Sequence, residues 1–186
     1  MPYDYTDAPK SNLISDGTVV TLVLHIRSGG VGEDEMLKRS KDGGCEMLDA
    51  ELTVLDGPYK GRKLWQNWVL AGTTDGHAQA ADISRRTLKA ILDSALGLKP
   101  LDVSPEARAA RTVSLKQFEG MTFVGKIGIE EGDAKYPDKN VLAAVVTPDR
   151  PGWHPVPQPP PFNGGSDQAA AAPAAAPPVT RPSWAS

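Results

Sequence analysis

The spacing of apolar residues changes twice along this chain, and those changes constrain its fold more than any single motif. Residues 18–27 (TVVTLVLHIR) are rich in β-branched residues and put Val20, Leu22, Leu24 and Ile26 on one face, as the two-residue period of a strand requires. Residues 45–55 alternate again, with Leu48, Ala50, Leu52 and Val54 set against Met47, Asp49, Glu51 and Thr53. One of these faces must meet the core and the other water. The run Asp56-Gly-Pro-Tyr-Lys-Gly61 is dense in turn residues and predicts a hairpin into a third strand. In that strand, residues 62–70, Leu64, Trp68 and Leu70 share one face, and Lys63, Trp65, Asn67 and Val69 the other.

After the turn at 72–76 the period lengthens. Ile83, Leu88, Ile91, Leu92, Ala95 and Leu96 follow helical spacing, with Arg85, Arg86, Lys89 and Asp93 largely opposite. Thr74 or Asp75 can cap the start, and Gly97 stands where a C-terminal cap belongs. Ser104-Pro105-Glu106 opens a short second helix to Ala110. The two-residue period then returns in residues 121–129 (MTFVGKIGI), with Met121, Phe123, Ile127 and Ile129 on one side. After a polar loop, residues 141–147 form the last strand. Five short strands with a helix between the third and fourth is the order of the oligonucleotide-binding (OB) barrel, so the expected fold is mainly β: a five-stranded OB-fold barrel.

Composition sets the limits of that domain. From Pro148 onward Pro, Ala and Gly dominate while Val, Ile and Leu nearly vanish, and such a segment buries too little apolar surface to offset its ordering entropy. The expected organisation is an irregular N-terminal arm over 1–16, an OB-fold domain over 17–147, and a disordered Pro/Ala-rich tail over 148–186. A single cysteine, Cys45, excludes an internal disulfide framework and a cysteine-rich zinc site. The first residues lack the basic and apolar regions of a signal peptide, and no apolar run approaches the ~20 residues of a membrane helix. These features lead to the expectation of a cytoplasmic protein with no membrane contact.

An enzyme has little to work with. His25, His77 and His154 lie far apart, with no metal-spaced pair, nucleophile elbow or phosphate loop. Gly29-Gly-Val-Gly32 lacks the Gly-Lys-Ser/Thr ending of a phosphate loop and opens no helix. The expectation is a non-catalytic protein without cofactor or metal.

Single-stranded DNA binding needs a basic groove for phosphates and aromatic faces for bases. Lys38, Arg39 and Lys41 lie in a long glycine-rich loop, residues 28–44, and Lys60, Arg62 and Lys63 at the second hairpin. Tyr59 precedes the second cluster and Trp65 follows it on the face of Lys63; Tyr136 lies in the loop before the last strand. The competing reading is plain: short basic runs are ordinary solvated turns, Arg85 and Arg86 suit the wet side of a helix, and Trp68 falls with core residues. The formal net charge of -3 argues against a strongly basic duplex binder, though not against local basic patches.

The stretch Leu52-Thr-Val-Leu-Asp-Gly-Pro-Tyr-Lys-Gly-Arg-Lys-Leu-Trp-Gln-Asn-Trp68 resembles a recurring phage and prophage family. Its members carry Asp-Gly-x-x-x-Gly-Arg between two strands, a helix similar to Ile83-Ser-Arg-Arg-Thr-Leu-Lys-Ala-Ile-Leu92, and a segment like Phe118-Glu-Gly-Met-Thr-Phe123 before strand four. The family is often catalogued as a domain of unknown function. The resemblance, over residues 13–147, implies an OB-fold single-stranded-DNA-binding protein of phage or prophage replication and recombination, working in a bacterial host cell.

The tail ends Arg181-Pro-Ser-Trp-Ala-Ser186. Its aromatic tip, Trp184, makes recruitment of phage or host replication and recombination proteins an expectation, against the plainer reading of an inert solubilising tail. Strand one or five could also pair across a homo-oligomer. The alternative function is a protein-interaction or virion-associated module on the same small barrel, since fold alone does not imply function.

Overall fold

The alternating stretches do form strands, and the helical stretch lies between the third and fourth of them. In the computed structural model, which describes residues 13–158, the strands are β1 (Val19–Ile26), β2 (Leu37–Arg39), β3 (Cys45–Val54), β4 (Lys63–Gly72), β5 (Thr122–Glu130) and β6 (Lys139–Val145). The helices are α1 (Asp75–Leu96) and α2 (Pro105–Ala110).

All the pairings are antiparallel, and the main path of the sheet runs β4-β3-β1-β5-β6. β2, a strand inside the stretch expected to be loop, pairs with residues 46–48 of β3, on the edge that β1 takes up again from Ala50 to Val54. The expected closed barrel is corrected here: no ladder joins β4 to β6. The physical reason is α1, which packs against β4, β5 and β6, so helix side chains rather than strand hydrogen bonds cover the core between the outer strands. The architecture is a mainly β, open antiparallel sheet with one long helix.

The core joins Leu22 and Leu24 of β1, Leu48, Leu52 and Val54 of β3, Leu64 and Trp68 of β4, and Phe123 and Ile127 of β5 to Leu88, Ile91 and Leu92 of α1. Each such side chain, fully buried, is worth about 1.5–3 kcal/mol. The buried stripe of α1 runs through Ala81, Ser84, Leu88, Ile91, Leu92 and Ala95. Ile83 lies one residue off it and is 57% exposed, so it is not a core residue. Leu96 and Ile129, also expected in the core, are likewise exposed. Ile14, in the stretch expected to be an irregular arm, is buried, and its backbone is held from both sides by the Asn140 side chain.

Thr74 caps α1 by accepting from the His77 N–H, and Gly97 ends it in the left-handed region at φ 68°. The nearest atoms to an added Cβ at Gly97 are Trp153 ring carbons at 3.7 Å, an ordinary contact, so the cost of a side chain there is backbone strain. Gly97→Ala is expected to lower the unfolding free energy by about 1–2 kcal/mol. A urea midpoint that does not move would contradict this.

The packed chain also runs past the expected boundary near Thr147. Trp153 Nε1 donates to Ser94 O at 3.0 Å. Gln158 Nε2 donates to Thr122 O and its Oε1 accepts from the Thr122 N–H, so one side-chain amide imitates a strand pairing. The remainder of the tail, Trp184 included, lies outside the described residues.

Candidate nucleic-acid interface

Strand alternation places a second set of residues on the face turned away from the core. Ladder partners point the same way, so His25, Glu51 and Trp65 form one row across β1, β3 and β4. Thr53 with Lys63 and Asp49 with Asn67 form the rows on either side. In the middle row Trp65 is 57% exposed, whereas Trp68, three residues on and facing inward, is 5% exposed. Trp65, one of the aromatic residues that the sequence offered for base stacking, is therefore open to solvent.

The basic residues around it are tied to carboxylates. Lys63 Nζ lies 2.6 Å from Glu51, Lys38 Nζ 3.3 Å and Arg27 3.7 Å from Asp49, and Arg39 2.7 Å from Glu46. The Lys63 hydrogen bond, with that residue's charge, holds the Glu51 carboxyl below the usual carboxylate range against partial desolvation. His25 Nδ1 sits 2.8 Å from Glu119, whose other oxygen accepts from the Ile26 N–H. Asp49, on the face of β3 turned away from the core, is nonetheless buried, covered by the long side chains that pair with it.

Exposed ion pairs hold only ~0–1 kcal/mol each. A phosphate can therefore take over Lys63 at small cost, whereas Lys38 is held by the buried Asp49.

The two basic clusters do not meet. Lys38 is opposite Met47 and Lys63 opposite Thr53, which separates them by about 20 Å along β3 at ~3.3 Å per residue. They bracket the face at its two ends, with Trp65 between them. Lys41 projects from the turn after β2, where Asp42 accepts from the Ser40 hydroxyl and the Gly44 N–H. Those two hydrogen bonds hold the Asp42 carboxyl below its ordinary range.

At the other end Lys60 is exposed and Arg62 half-buried. Tyr59 packs partly against the core, leaving Trp65 as the open ring on this face. Tyr136 belongs to the β5–β6 hairpin on the far side of β1. It is 60% exposed, with Lys135 Nζ 5.0 Å from its ring centroid, and stands apart from the Trp65 row.

Sequence reasoning missed Arg27 and Glu119 as parts of this face. The alternation in strand one had already put His25 opposite the core residues, so that signal was available. Nothing in the sequence announced the Arg27–Asp49–Lys38 cluster, which needs β2 paired to β3.

Among the described residues no helix is long and apolar enough to cross a membrane. A search of curated proteins found no match. Residues 32–117, spanning β2 to α2 and most of the turn Leu115–Phe118 beyond it, match the model of a family described as a protein of unknown function (DUF669), and it is to that family that this part of the chain is similar.

Proposed function

We propose that this protein binds single-stranded DNA without catalysis, on the outer face of β1, β3 and β4, with the open sheet serving as an OB-type platform. The observation that carries this reading is Trp65: a large ring, 57% exposed, on the outer strand β4, in a row that lies between Lys63 and Lys38 along the length of β3. A tryptophan left in water on a sheet face is costly surface unless something covers it, and a base is a flat partner that tolerates any sequence. Lys38, Arg39 and Lys41 at one end and Lys60, Arg62 and Lys63 at the other supply phosphate contacts. The sequence resemblance adds the setting, phage or prophage DNA replication or recombination in a bacterial cytoplasm.

Titration with oligothymidylate, followed by indole fluorescence, tests the reading. Binding is expected at low salt and should weaken as salt rises, because phosphate contacts release counterions. A protein that ignores the oligonucleotide at low salt is instead a protein-interaction module.

One substitution separates a phosphate role for Lys63 from a purely structural one. Glu51→Gln removes the competitor 2.6 Å from Lys63 and is expected to tighten binding by a few-fold at most, because an exposed pair holds little. Weaker binding by this variant would mean that Lys63 serves the sheet and not the strand.

A further inference from the structure

A groove between α1 and the β5–β6 edge shares no residue with the Trp65 face. Its wider part is a cleft of about 720 Å³, within the ~300–1,000 Å³ range of ligand sites. Four cations line it: Arg86 and Lys89 from α1, Lys126 from β5, and Arg150 from the segment after β6.

Two carboxylates oppose them, and both are engaged. Asp93 accepts from Lys89 and Arg111, and Asp149 accepts from the Thr147 hydroxyl and lies 3.9 Å from Arg150. Lys89 is held in place by Asp93 and by Pro100 O, which leaves one of its three N–H donors. Arg86 and Lys126 are exposed, and among the described residues no carboxylate pairs with either.

Two further features define the ligand. The cleft wall holds no aromatic side chain, so it offers charge without a surface for stacking a base. The cleft also continues into a second hollow of about 280 Å³ along α1 and β6, which shares Arg86, Ala90 and Val145 with the first. Besides the shared residues that hollow is lined by Ile83, Thr87, Leu142 and Ala143, so all four cations that suit a run of phosphates lie along the wider cleft.

We propose that this groove is a second nucleic-acid contact, which holds the phosphodiester backbone of a strand through Arg86 and Lys126, with Lys89 and Arg150 beside them. The source of the phosphate rests on the DNA-binding reading above; the anion preference rests on the groove alone.

The test uses the full chain and the double variant Arg86→Ala/Lys126→Ala, whose exposed, unpaired side chains leave thermal unfolding unchanged. With a long oligothymidylate, the variant is expected to bind several-fold more weakly at low salt. Its log–log salt slope should be shallower by about 1.4, since two single-strand phosphate contacts are lost. Trp65→Ala weakens binding and keeps the slope.

An unchanged slope and affinity in the double variant overturns the backbone contact while leaving the Trp65 reading intact. Binding abolished by the double variant but untouched by Trp65→Ala supports the groove and overturns the Trp65 reading. Amide NMR shifts at Ala90 and Val145 on adding inorganic pyrophosphate, lost in the double variant, support the anion preference. The same shifts alongside an oligonucleotide that the double variant binds as wild type assign the groove to a small phosphorylated ligand and overturn the proposal.

Discussion

Trp65→Ala is expected to weaken binding of oligothymidylate about 5- to 150-fold, the equivalent of the ~1–3 kcal/mol that stacking one base on an aromatic ring supplies. The ring is 57% exposed on a face whose neighbours are polar, so its removal leaves little cavity and the thermal unfolding temperature should hardly move. Trp65→Phe keeps a flat ring and should recover most of the affinity, which separates stacking from a general loss of surface. Equal affinity for wild type and the alanine variant, measured at one low salt concentration, would remove Trp65 from the interface and with it the main support for the proposed function.

The largest stability effect is expected at Asp93, far from that face. Its side chain is 1% exposed, 2.7 Å from Lys89 Nζ and 2.6 Å from Arg111 Nε. Arg111, itself 12% exposed, also donates to Lys99 O at 2.9 Å and to Asp102 O. One carboxylate thus ties the C-terminal half of α1 to the loop and short helix that follow it.

Removing one member of such a buried pair leaves the other charge unpaired, which costs ~3–5 kcal/mol. Asp93→Ala is expected near the lower end, because Lys89 is 46% exposed and can return to water. Asp93→Asn keeps the shape and an acceptor and should cost less. Urea unfolding of the two variants measures this, and a loss below about 1 kcal/mol for the alanine would show that Arg111 finds water without disturbing the loop. The same substitution also frees Lys89 in the groove, so its effect on DNA binding should be read only after its stability is known.

Much of the sheet was legible because a strand's period of two needs no knowledge of its partner. The core faces of β1, β3 and β4 follow directly from Leu22, Leu52 and Leu64, and the same alternation separated buried Trp68 from exposed Trp65. The caps of α1 were equally local: Thr74 and Gly97 do what their side chains, or lack of one, allow.

Partner-dependent features were not legible. A three-residue strand such as β2 has no period to read and exists only against β3. Asp93 sits among α1 residues that look solvated in sequence, and it is buried because Arg111, 18 residues away, meets it there. The chain after Thr147 reads as too poor in apolar residues to pack. It is held by Trp153, with a hydrogen bond to α1, and by the Gln158 amide, with hydrogen bonds to α1 and β5.

By itself, then, the sequence determined which of the longer stretches become strands and helix, which face of each is apolar, and that Trp65 stands beside a basic hairpin on the face opposite Trp68. These are local properties, set by side-chain period and turn chemistry along a few residues. Only the tertiary structure decided that the sheet stays open with α1 between its outer strands. It alone decided that the two basic clusters bracket Trp65 from opposite ends, and that Lys38, Arg39 and Lys63 are balanced by neighbouring carboxylates. Those are long-range facts, set by strand register, which brings Lys38, Arg39 and Lys63 to their carboxylates.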